Sequence, residues 1–477
     1  MSSKQKVIKA SFGYIIGNYL IKGLTFLSIP LFARIMETSD YGIYNNFIAY
    51  EGILFVLIGW AIHSSYKNAK LRFDKTADNY SYESYVSDTL VLVIISAVFY
   101  FVFINIINFM FPFVLKMSVL DVNLLIIYSF STSIIVCFNI DSGIRYEYKK
   151  FLLVAGTNAL SNILISVFLM VKVFPQNRYE GRILGTVFPA FILSCIIIFS
   201  MLKRAKPQIN KCELKWGLKY SLPIIPHGIS QIILSQFDRI MITRMIGEYE
   251  NGIYSFAANI ALILTVTSQS LDTVWGPWFY EKRKSNNLYS IKKYSSIYMI
   301  VLLAFTVVLM LIAPELIWII GSDKYTESIY SLYPILGGAY FTFLYTIPSA
   351  VEYFHERTKN IALATTFAAL INVVLNYIFI NLFGYVAAAY TTMFTYLIYF
   401  IFHYIIAIRI EKKNIFSYKI TLLCIALLIS FTFISMLMMK LTIIRWLIAT
   451  VLIILTLIFE EKKVGASKVL ISKLLRR

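Results

Sequence analysis

The chain has 477 residues, of which 59% are hydrophobic and 14% are charged, and its net charge is +19. Apolar runs of roughly 18–25 residues recur from end to end, which excludes a soluble domain and predicts a polytopic helical membrane protein. The basic residues cluster in short segments between these runs, so membrane topology accounts for the charge and we expect no nucleic-acid partner.

Fourteen apolar spans follow one another along the chain. They are 11–33, 43–62, 87–111, 120–141, 151–171, 182–202, 217–241, 252–275, 294–314, 329–351, 360–381, 384–408, 418–438 and 442–460. With a cytoplasmic N-terminus, 33 of the 44 Lys and Arg residues fall on the cytoplasmic side, as the positive-inside rule requires. The sequence therefore predicts an all-α membrane protein of about 14 transmembrane helices with both termini in the cytoplasm.

The chain also contains an internal repeat with a shift of 210 residues. Segment 219–254 aligns with segment 9–44, and both end in Gly-Ile-Tyr. The same shift relates Asn162 to Asn372. Because each copy holds an even number of spans, both copies are predicted to have the same orientation in the membrane.

The repeat predicts two parallel six-helix lobes around a central cavity, plus a C-terminal helix pair. The predicted domains are an N-terminal lobe at 1–202, a cytoplasmic linker at 203–216, a second lobe at 217–410, and helices 13 and 14 with a basic cytoplasmic tail at 411–477. The connections between spans are short, which leaves no room for a soluble catalytic domain. Function is therefore expected within the helices.

The first span carries a polar face that includes Asn18 and Lys22. Lys22 lies about midway along the span, where an ammonium group in lipid costs about 2.5–3.5 kcal/mol. We therefore expect Lys22 to face a water-filled cavity or a charged partner.

The seventh span repeats this pattern with His227, Gln231 and Asp238, followed by Arg239. We infer that the first and seventh spans face each other across the central cavity. Asp238 and Arg239 point about 100° apart on a helix, so a structural ion pair with another helix remains an open alternative for either residue.

Seven further ionisable residues complete the candidate set. The cavity candidates are Arg34, Glu51, Arg244 and Asp272, and the candidates for a cytoplasmic gate are Asp141, Arg145 and Glu352. Snorkelling or an ion pair is an alternative for the two arginines, and simple solvation is an alternative for the gate residues. His403 is interpreted as a packing residue within its helix.

No catalytic or metal-binding motif is apparent. The sequence holds no P-loop, nucleophile elbow, metal triad or pair of catalytic carboxylates, and its four cysteines show no CxxC spacing. We therefore predict that the protein is not an enzyme and has no cofactor. Coupling to H⁺, to Na⁺ or to the membrane potential stays open.

Three groups of residues resemble a known family. They are Lys22, Pro30, Arg34 and 40–44 (DYGIY), then Pro223, Asp238, Arg239 and 252–255 (GIYS), and finally Asn372 with 384–389 (GYVAAA). In these features the chain resembles bacterial repeat-unit flippases, the polysaccharide-transporter branch of the multidrug/oligosaccharidyl-lipid/polysaccharide exporter superfamily. The likeness runs over nearly the whole chain.

The resemblance implies a flippase of the bacterial cytoplasmic membrane that works by alternating access. The implied substrate is an oligosaccharide linked to undecaprenyl diphosphate, such as an O-antigen, capsule or exopolysaccharide repeat unit, with its lipid tail held by helices 13 and 14. Membrane lipids, a polysaccharide polymerase and chain-length machinery are the implied partners. The alternatives are a lipid II-type or multidrug transporter of the same superfamily, or a membrane-embedded polymerase or acyltransferase.

Overall fold

The structure, a computed structural model, describes residues 3–73 and 80–464, except the side chains of the first helical turns and of a few scattered positions. The described residues form helices joined by short turns and contain no strand. Eleven helices among them are long and apolar enough to cross a membrane. The predicted all-α polytopic membrane fold is therefore confirmed.

Twenty α-helices follow one another in the described part of the chain. They are α1 Ser3–Ile35, α2 Thr38–Gly59, α3 Tyr66–Phe73, α4 Tyr82–Met110, α5 Pro112–Leu115, α6 Val119–Ile144, α7 Tyr148–Phe168, α8 Arg178–Leu202, α9 Lys211–Ser221, α10 Ile225–Met245, α11 Glu248–Ile260, α12 Leu262–Lys284, α13 Leu288–Leu311, α14 Ala313–Gly321, α15 Ile329–Leu344, α16 Thr346–Phe354, α17 Thr358–Phe383, α18 Val386–Glu411, α19 Tyr418–Leu437 and α20 Thr442–Val464. Short 3₁₀ segments lie at Ile62–Ser65, Leu222–Ile224 and Asp323–Ser328, and a π-helical turn, Leu169–Val173, extends α7.

Each of the fourteen predicted spans overlaps a helix or a pair of consecutive helices. The three spans outside the eleven long apolar helices correspond to α1, α9–α10 and α15–α16. The break between α9 and α10 occurs at Pro223, which lacks a backbone N–H and cannot continue the α-helical hydrogen bonds. The predicted count of fourteen is thus approximate, since eleven of the spans correspond to the long apolar helices of the described residues and three do not.

The helix boundaries repeat with the shift of 210 residues seen in the sequence. α1 and α10 end at Ile35 and Met245, and the turns before α7 and α17 contain left-handed residues at Tyr146 (φ 59°) and Glu356 (φ 57°). In both turns the next backbone N–H donates to the carbonyl five residues earlier, at 2.9 and 2.8 Å. This is the Schellman ending of a helix, and it occurs at corresponding positions in both repeats.

The helices form two compact units, 1–243 and 244–477. In the first unit, α1 lies against α7 through two glycines. A Cβ atom on Gly13 would lie 2.2 Å from Tyr148, and one on Gly17 would lie 1.8 Å from Leu152. An alanine at either position would therefore require the side chain of Tyr148 or Leu152 to move, and the two glycines favour the close packing of α1 on α7. The lobe boundaries proposed from the sequence remain a prediction.

The segment that the sequence assigns to the linker is fastened to α4. The buried carboxylate of Asp88 accepts backbone N–H groups from Gln208, Ile209 and Asn210 at 2.7–2.9 Å. It also accepts the hydroxyl of Tyr80 at 2.7 Å. Four donors on one carboxylate satisfy its charge inside the protein and hold this segment to the first unit.

Candidate functional site

A cluster of charged residues joins four helix ends in the first unit. We call it the Asp141 cluster, and its members are Tyr82, Glu83, Asp141, Arg145, Glu147 and Arg204. The residues come from the ends of α4, α6, α7 and α8 that the sequence predicts to be cytoplasmic. The structure therefore brings together two predicted gate residues, Asp141 and Arg145.

Asp141 is the centre of this cluster and is fully buried. Its carboxylate accepts Arg145 Nε at 2.8 Å, Arg204 Nη1 at 2.6 Å and the hydroxyl of Tyr82 at 3.1 Å. Arg145 also contacts Glu83 at 2.9 Å. Two guanidinium groups on one buried carboxylate compensate its charge and join three helix ends.

The second unit has a cluster at the equivalent helix ends, which we call the Glu411 cluster. Glu411 lies at the end of α18 and accepts Arg283 Nε at 2.8 Å. It also lies 3.1 Å from Nε2 of His355, the residue that follows α16. His355 corresponds to Arg145 under the shift of 210 residues. The repeat therefore places an arginine in one cluster and a histidine in the other.

A second ionisable pair lies deeper in the second unit. Glu352 of α16 and His403 of α18 are both fully buried, and His403 Nδ1 is hydrogen-bonded to Glu352 Oε1. Their remaining polar atoms, Glu352 Oε2 and His403 Nε2, have no hydrogen-bond partner among the described residues. The interpretation of His403 as a packing residue was therefore wrong, because a single helix does not reveal its partner on the next one.

Glu51 is buried in the first unit, as expected of a mid-span acid. Its carboxyl group is hydrogen-bonded to Thr132 of α6, and its Oε1 has no partner among the described residues. The neighbouring Gly52 lies against Ile232 and Gln236 of α10, where an added Cβ would be 3.2 and 3.6 Å away. Glu51 therefore lies near the seventh predicted span.

The polar stripe of α10 is partly exposed. His227 and Gln231 are half-buried and Asp238 is buried. Arg239 donates from Nη1 to Gln236 of the same helix at 3.1 Å. The different burial of Asp238 and Arg239 fits the different directions predicted for them, whereas their roles remain a prediction.

The other cavity candidates lie on exposed or half-buried surfaces. Lys22 and Arg34 are exposed on α1, and Arg244 is half-buried in the last turn of α10. Asp272 is exposed on α12 and forms a hydrogen bond with Thr346. The side chain of Asn18 lies outside the described residues.

Sequence reasoning missed a buried arginine in the first unit, Arg182 of α8, which is 7% exposed. Its Nη1 donates to Asn162 at 2.5 Å and to Ser166 at 2.8 Å. Its guanidinium carbon lies 3.6 Å from the ring centroid of Phe32 and 4.5 Å from that of Tyr44. Aromatic faces and neutral oxygens stabilise this cation, and no acid pairs with it among the described residues.

The repeat could have revealed this site. Under the shift of 210 residues, Asn162, Ser166 and Arg182 correspond to Asn372, Asn376 and Thr392. In the second unit the equivalent residues also bond, with Asn372 donating to Thr392 at 2.9 Å and Asn376 donating to Asn372 at 3.2 Å. The first unit has a charged version of a site that is neutral in the second.

A pocket of about 320 Å³ lies between α13, α19 and α20 in the second unit. Lys292 and Lys293 line it together with Tyr289 and Ser417, and Ile297, Ile300, Ile420 and Phe459 complete its wall. Its lysines lie at helix ends that the sequence predicts to be cytoplasmic. Two cations beside an apolar wall suit a ligand with an anionic head and a hydrocarbon chain.

The C-terminal helix pair is fixed to the second unit at the opposite end of α20. Arg445 is buried and makes two hydrogen bonds to the carboxylate of Glu315, at 2.8 and 2.9 Å, and another to the carbonyl of Leu311. Burial raises the pKa of Glu315, but Arg445 outweighs it and holds that pKa below its usual value. This pairing fixes α20 against α13 and α14.

Residues 7–282 match the family described as polysaccharide biosynthesis protein. The chain belongs to this family. It is also 24% identical over 334 residues to Lsg locus putative protein 1 of Haemophilus influenzae, covering 67% of this chain and 78% of that protein. An uncharacterized membrane protein of the same organism is 22% identical over 378 residues, which cover 76% of this chain and 88% of that protein.

Solved structures show that this family member has a known transporter fold. The lipid II flippase MurJ in an inward closed conformation superposes with a TM-score of 0.66 at 16% identity, covering 94% of this chain and 99% of that one. An inward-facing multidrug resistance MATE transporter of the MOP superfamily superposes with a TM-score of 0.55 at 18% identity, covering 81% and 98%. The chain is thus a multi-pass membrane protein with the fold of MOP-superfamily transporters.

Proposed function

We propose that the protein is a flippase that moves an oligosaccharide linked to undecaprenyl diphosphate across the bacterial cytoplasmic membrane by alternating access. Membership of the polysaccharide biosynthesis family supports the sugar-containing substrate, and the fold supports transport rather than enzyme catalysis. Both termini are proposed to be cytoplasmic, from the distribution of Lys and Arg.

The observation that carries the lipid-linked substrate is the C-terminal helix pair. The lipid II flippase fold covers 94% of the chain, whereas the multidrug transporter fold covers 81%. In this chain α19 and α20 pack on α13 and enclose the pocket lined by Lys292 and Lys293. We propose that the two ammonium groups hold the diphosphate of the substrate at the membrane surface while its polyprenyl chain lies along the apolar wall.

The charged clusters support movement of each unit as a body. The Asp141 cluster fastens the ends of α4, α6, α7 and α8, and the Glu411 cluster fastens those of α12, α16 and α18. Alternating access requires groups of helices that keep their internal contacts while their outer surfaces change partners. In this proposal Asp141, Arg145 and Glu352 contribute to the internal rigidity of their units.

Lys22 is proposed to add positive potential where the headgroup passes. It is exposed on α1, and its spacing to Asn18 predicts that the two residues share one face of that helix. A diphosphate headgroup carries about two negative charges, and an inside-negative potential favours its outward passage by about 2.3 kcal/mol per charge per 100 mV. Lys22→Ala is therefore expected to lower transport at normal protein abundance, with Lys22→Arg partly active.

The function can be tested with purified full-length protein in liposomes. Undecaprenyl-diphosphate-linked oligosaccharide with a labelled sugar would be placed in the inner leaflet, and its appearance outside would be measured with a membrane-impermeant glycosidase. We expect protein-dependent flipping. The double variant Lys292→Ala/Lys293→Ala should flip more slowly at low substrate concentration and recover at high concentration, because its lysines act in substrate capture.

Lys149→Ala/Lys150→Ala is the matched control, because it also removes two adjacent lysines from the predicted cytoplasmic side and both are exposed. This control variant should flip the oligosaccharide lipid at the wild-type rate. Export of a cationic dye without any flipping of the oligosaccharide lipid would instead support the multidrug alternative. Equal loss in both double variants would show that the pocket lysines act only through net charge.

A further inference from the structure

We propose that Glu352 and His403 form a proton-binding site that couples substrate flipping to a proton gradient. This inference rests on the proposed transport function. The pair joins α16 to α18 through one hydrogen bond, and both side chains are fully buried. Two polar atoms of the pair, Glu352 Oε2 and His403 Nε2, are buried without a hydrogen-bond partner among the described residues.

The chemistry of the pair makes its net charge depend on a single proton. With one hydrogen on His403 Nε2 and one proton shared between Nδ1 and Glu352 Oε1, the pair is neutral overall. A further proton bound at Glu352 Oε2 makes it cationic, and loss of the shared proton makes it anionic. A net charge in a dry interior costs several kcal/mol, so the affinity for the further proton depends on how much water reaches the pair.

The surroundings of the pair hold few other charges. Tyr399 of α18 lies with its ring 4.5 Å from that of His403, and Tyr345, between α15 and α16, lies 5.6 Å away. The other titratable groups nearby are Tyr353 of α16, Tyr396 of α18 and, beyond Tyr353, Asp272 of α12. From α17 the nearest polar group is Thr365, which bonds to the hydroxyl of Tyr399 at 2.8 Å. No arginine or lysine forms an ion pair with the carboxylate of Glu352 in the described part of the chain.

The Glu411 cluster lies between the buried pair and the helix ends. His355 follows Glu352 by three residues, is 33% exposed in its side chain, and lies 3.1 Å from Glu411. Glu411 and His403 lie eight residues apart on α18, which is roughly 12 Å at 1.5 Å per residue. One histidine and one carboxylate, His355 and Glu411, therefore lie on the side from which a proton would reach the pair in this proposal.

The repeat shows that this site belongs to one unit only. Under the shift of 210 residues, Glu352 and His403 correspond to Ser142 and Leu193 of the first unit. Neither of these residues titrates. The second unit thus has a pair that changes its charge with protonation at a place where the first unit has no ionisable side chain.

The proposed coupling is an exchange of one proton for one substrate. A proton from the acidic outer side binds the pair in one conformation and is released to the cytoplasm in the other, while the glycolipid moves outward. A proton shifts the conformational equilibrium only if the two conformations differ in proton affinity, and different hydration of a buried pair provides that difference.

The first test measures proton binding without transport. In a pH-difference infrared spectrum of the purified full-length protein, the pair should give a carboxyl signal that changes with pH. Glu352→Gln should remove this signal and His403→Gln should shift it, because imidazole is the hydrogen-bonded partner. His63→Gln is the control histidine variant and should leave it unchanged. A wild-type signal in Glu352→Gln would overturn the proposal, whether or not the protein flips a glycolipid.

The second test measures flipping in liposomes at fixed voltage with an imposed pH gradient, acidic outside. The wild type and His63→Gln should be accelerated by the gradient. In the double variant Glu352→Gln/His403→Gln, which keeps two neutral hydrogen-bonding groups, the acceleration should be lost while voltage-driven flipping remains. Unchanged acceleration in a folded double variant would contradict the proposal, and an equal loss at every gradient would assign the pair a structural role. Absence of flipping in the wild type, with the infrared titration intact, would contradict the proposed function alone.

Discussion

The Asp141 cluster and the Glu411 cluster both include the ends of corresponding helices, α6 with α16 and α8 with α18, yet they differ in their basic residues. The first has two arginines on a fully buried aspartate, and the second has one arginine and one histidine on a glutamate. A guanidinium group can make two charged hydrogen bonds to one carboxylate, whereas one imidazole nitrogen makes a single contact. The duplicated scaffold therefore combines a cluster with two guanidinium groups and a cluster in which an imidazole takes the place of one of them.

The largest effect on stability is expected at the centre of the Asp141 cluster. Asp141→Asn removes the only carboxylate that both Arg145 and Arg204 share, and leaves two partly buried guanidinium groups without full compensation. Removing one partner of a buried ion pair lowers the free energy of unfolding by about 3–5 kcal/mol. A clear drop in the thermal unfolding midpoint of the detergent-solubilised protein would show this, and an unchanged midpoint would mean that the cluster contributes little to the first unit.

A smaller effect is expected from converting one repeat toward the other at Arg182. Arg182→Thr introduces the residue found at the equivalent position 392. The change removes two cation–π contacts and leaves Asn162 and Ser166 without their shared donor, so we expect a loss of about 2–4 kcal/mol. The thermal unfolding midpoint of Arg182→Thr measures this loss of stability. Arg182→Lys is the control, because it keeps the positive charge. Equal stability of wild type and Arg182→Thr would show that the neutral arrangement serves both units.

Exchanging the residues at the equivalent positions 145 and 355 should change the stability of the two clusters in opposite directions. A guanidinium group can make two charged hydrogen bonds to one carboxylate, so His355→Arg should stabilise the Glu411 cluster. Arg145→His removes the guanidinium group that contacts Asp141 and should destabilise the Asp141 cluster by about 1–2 kcal/mol. Thermal unfolding midpoints of the two variants and of the wild type measure both changes, and a shift in the same direction in both variants would contradict the prediction.

The smallest effect on stability is expected at the edge of the Asp141 cluster. Lys150 contacts Glu147 at 2.9 Å, but its side chain is 55% exposed. Exposed pairs of this kind contribute about 0–1 kcal/mol, so Lys150→Ala should barely change the unfolding midpoint. A loss comparable to that of Asp141→Asn would show that burial does not explain the difference between them.

Much of the fold followed from the sequence because transmembrane helices are recognisable one at a time. A hydrocarbon core about 30 Å thick requires about 20 apolar residues, and every predicted span overlaps the described helices. The repeat was also visible, because Tyr146 and Glu356 sit in turns that differ by the same 210 residues as the aligned sequence segments. The break between α9 and α10 at Pro223 is likewise a local effect, because proline lacks the backbone N–H that would continue the helix.

The candidate site was predicted less completely. Asp141, Arg145 and Glu352 were singled out as gate residues, and the structure places each of them in a polar contact between helices. Arg204, which lies 63 residues from Asp141, and Arg182 were not selected, because each reads alone as a basic residue near a span end. Their contacts with other helices become apparent only when those helices are in place.

The sequence alone determined which segments are apolar and long enough to be membrane-spanning candidates, how the positive charges are distributed and that the helical pattern occurs twice. These properties depend on local composition and on the thickness of the bilayer. Only the tertiary structure decided that His403 faces Glu352, that Arg182 lies between Phe32 and Tyr44, and that Arg445 binds Glu315. Lipid is as apolar as the protein interior, so a membrane helix carries little sign of which face meets its neighbour, and helix packing selects the partners.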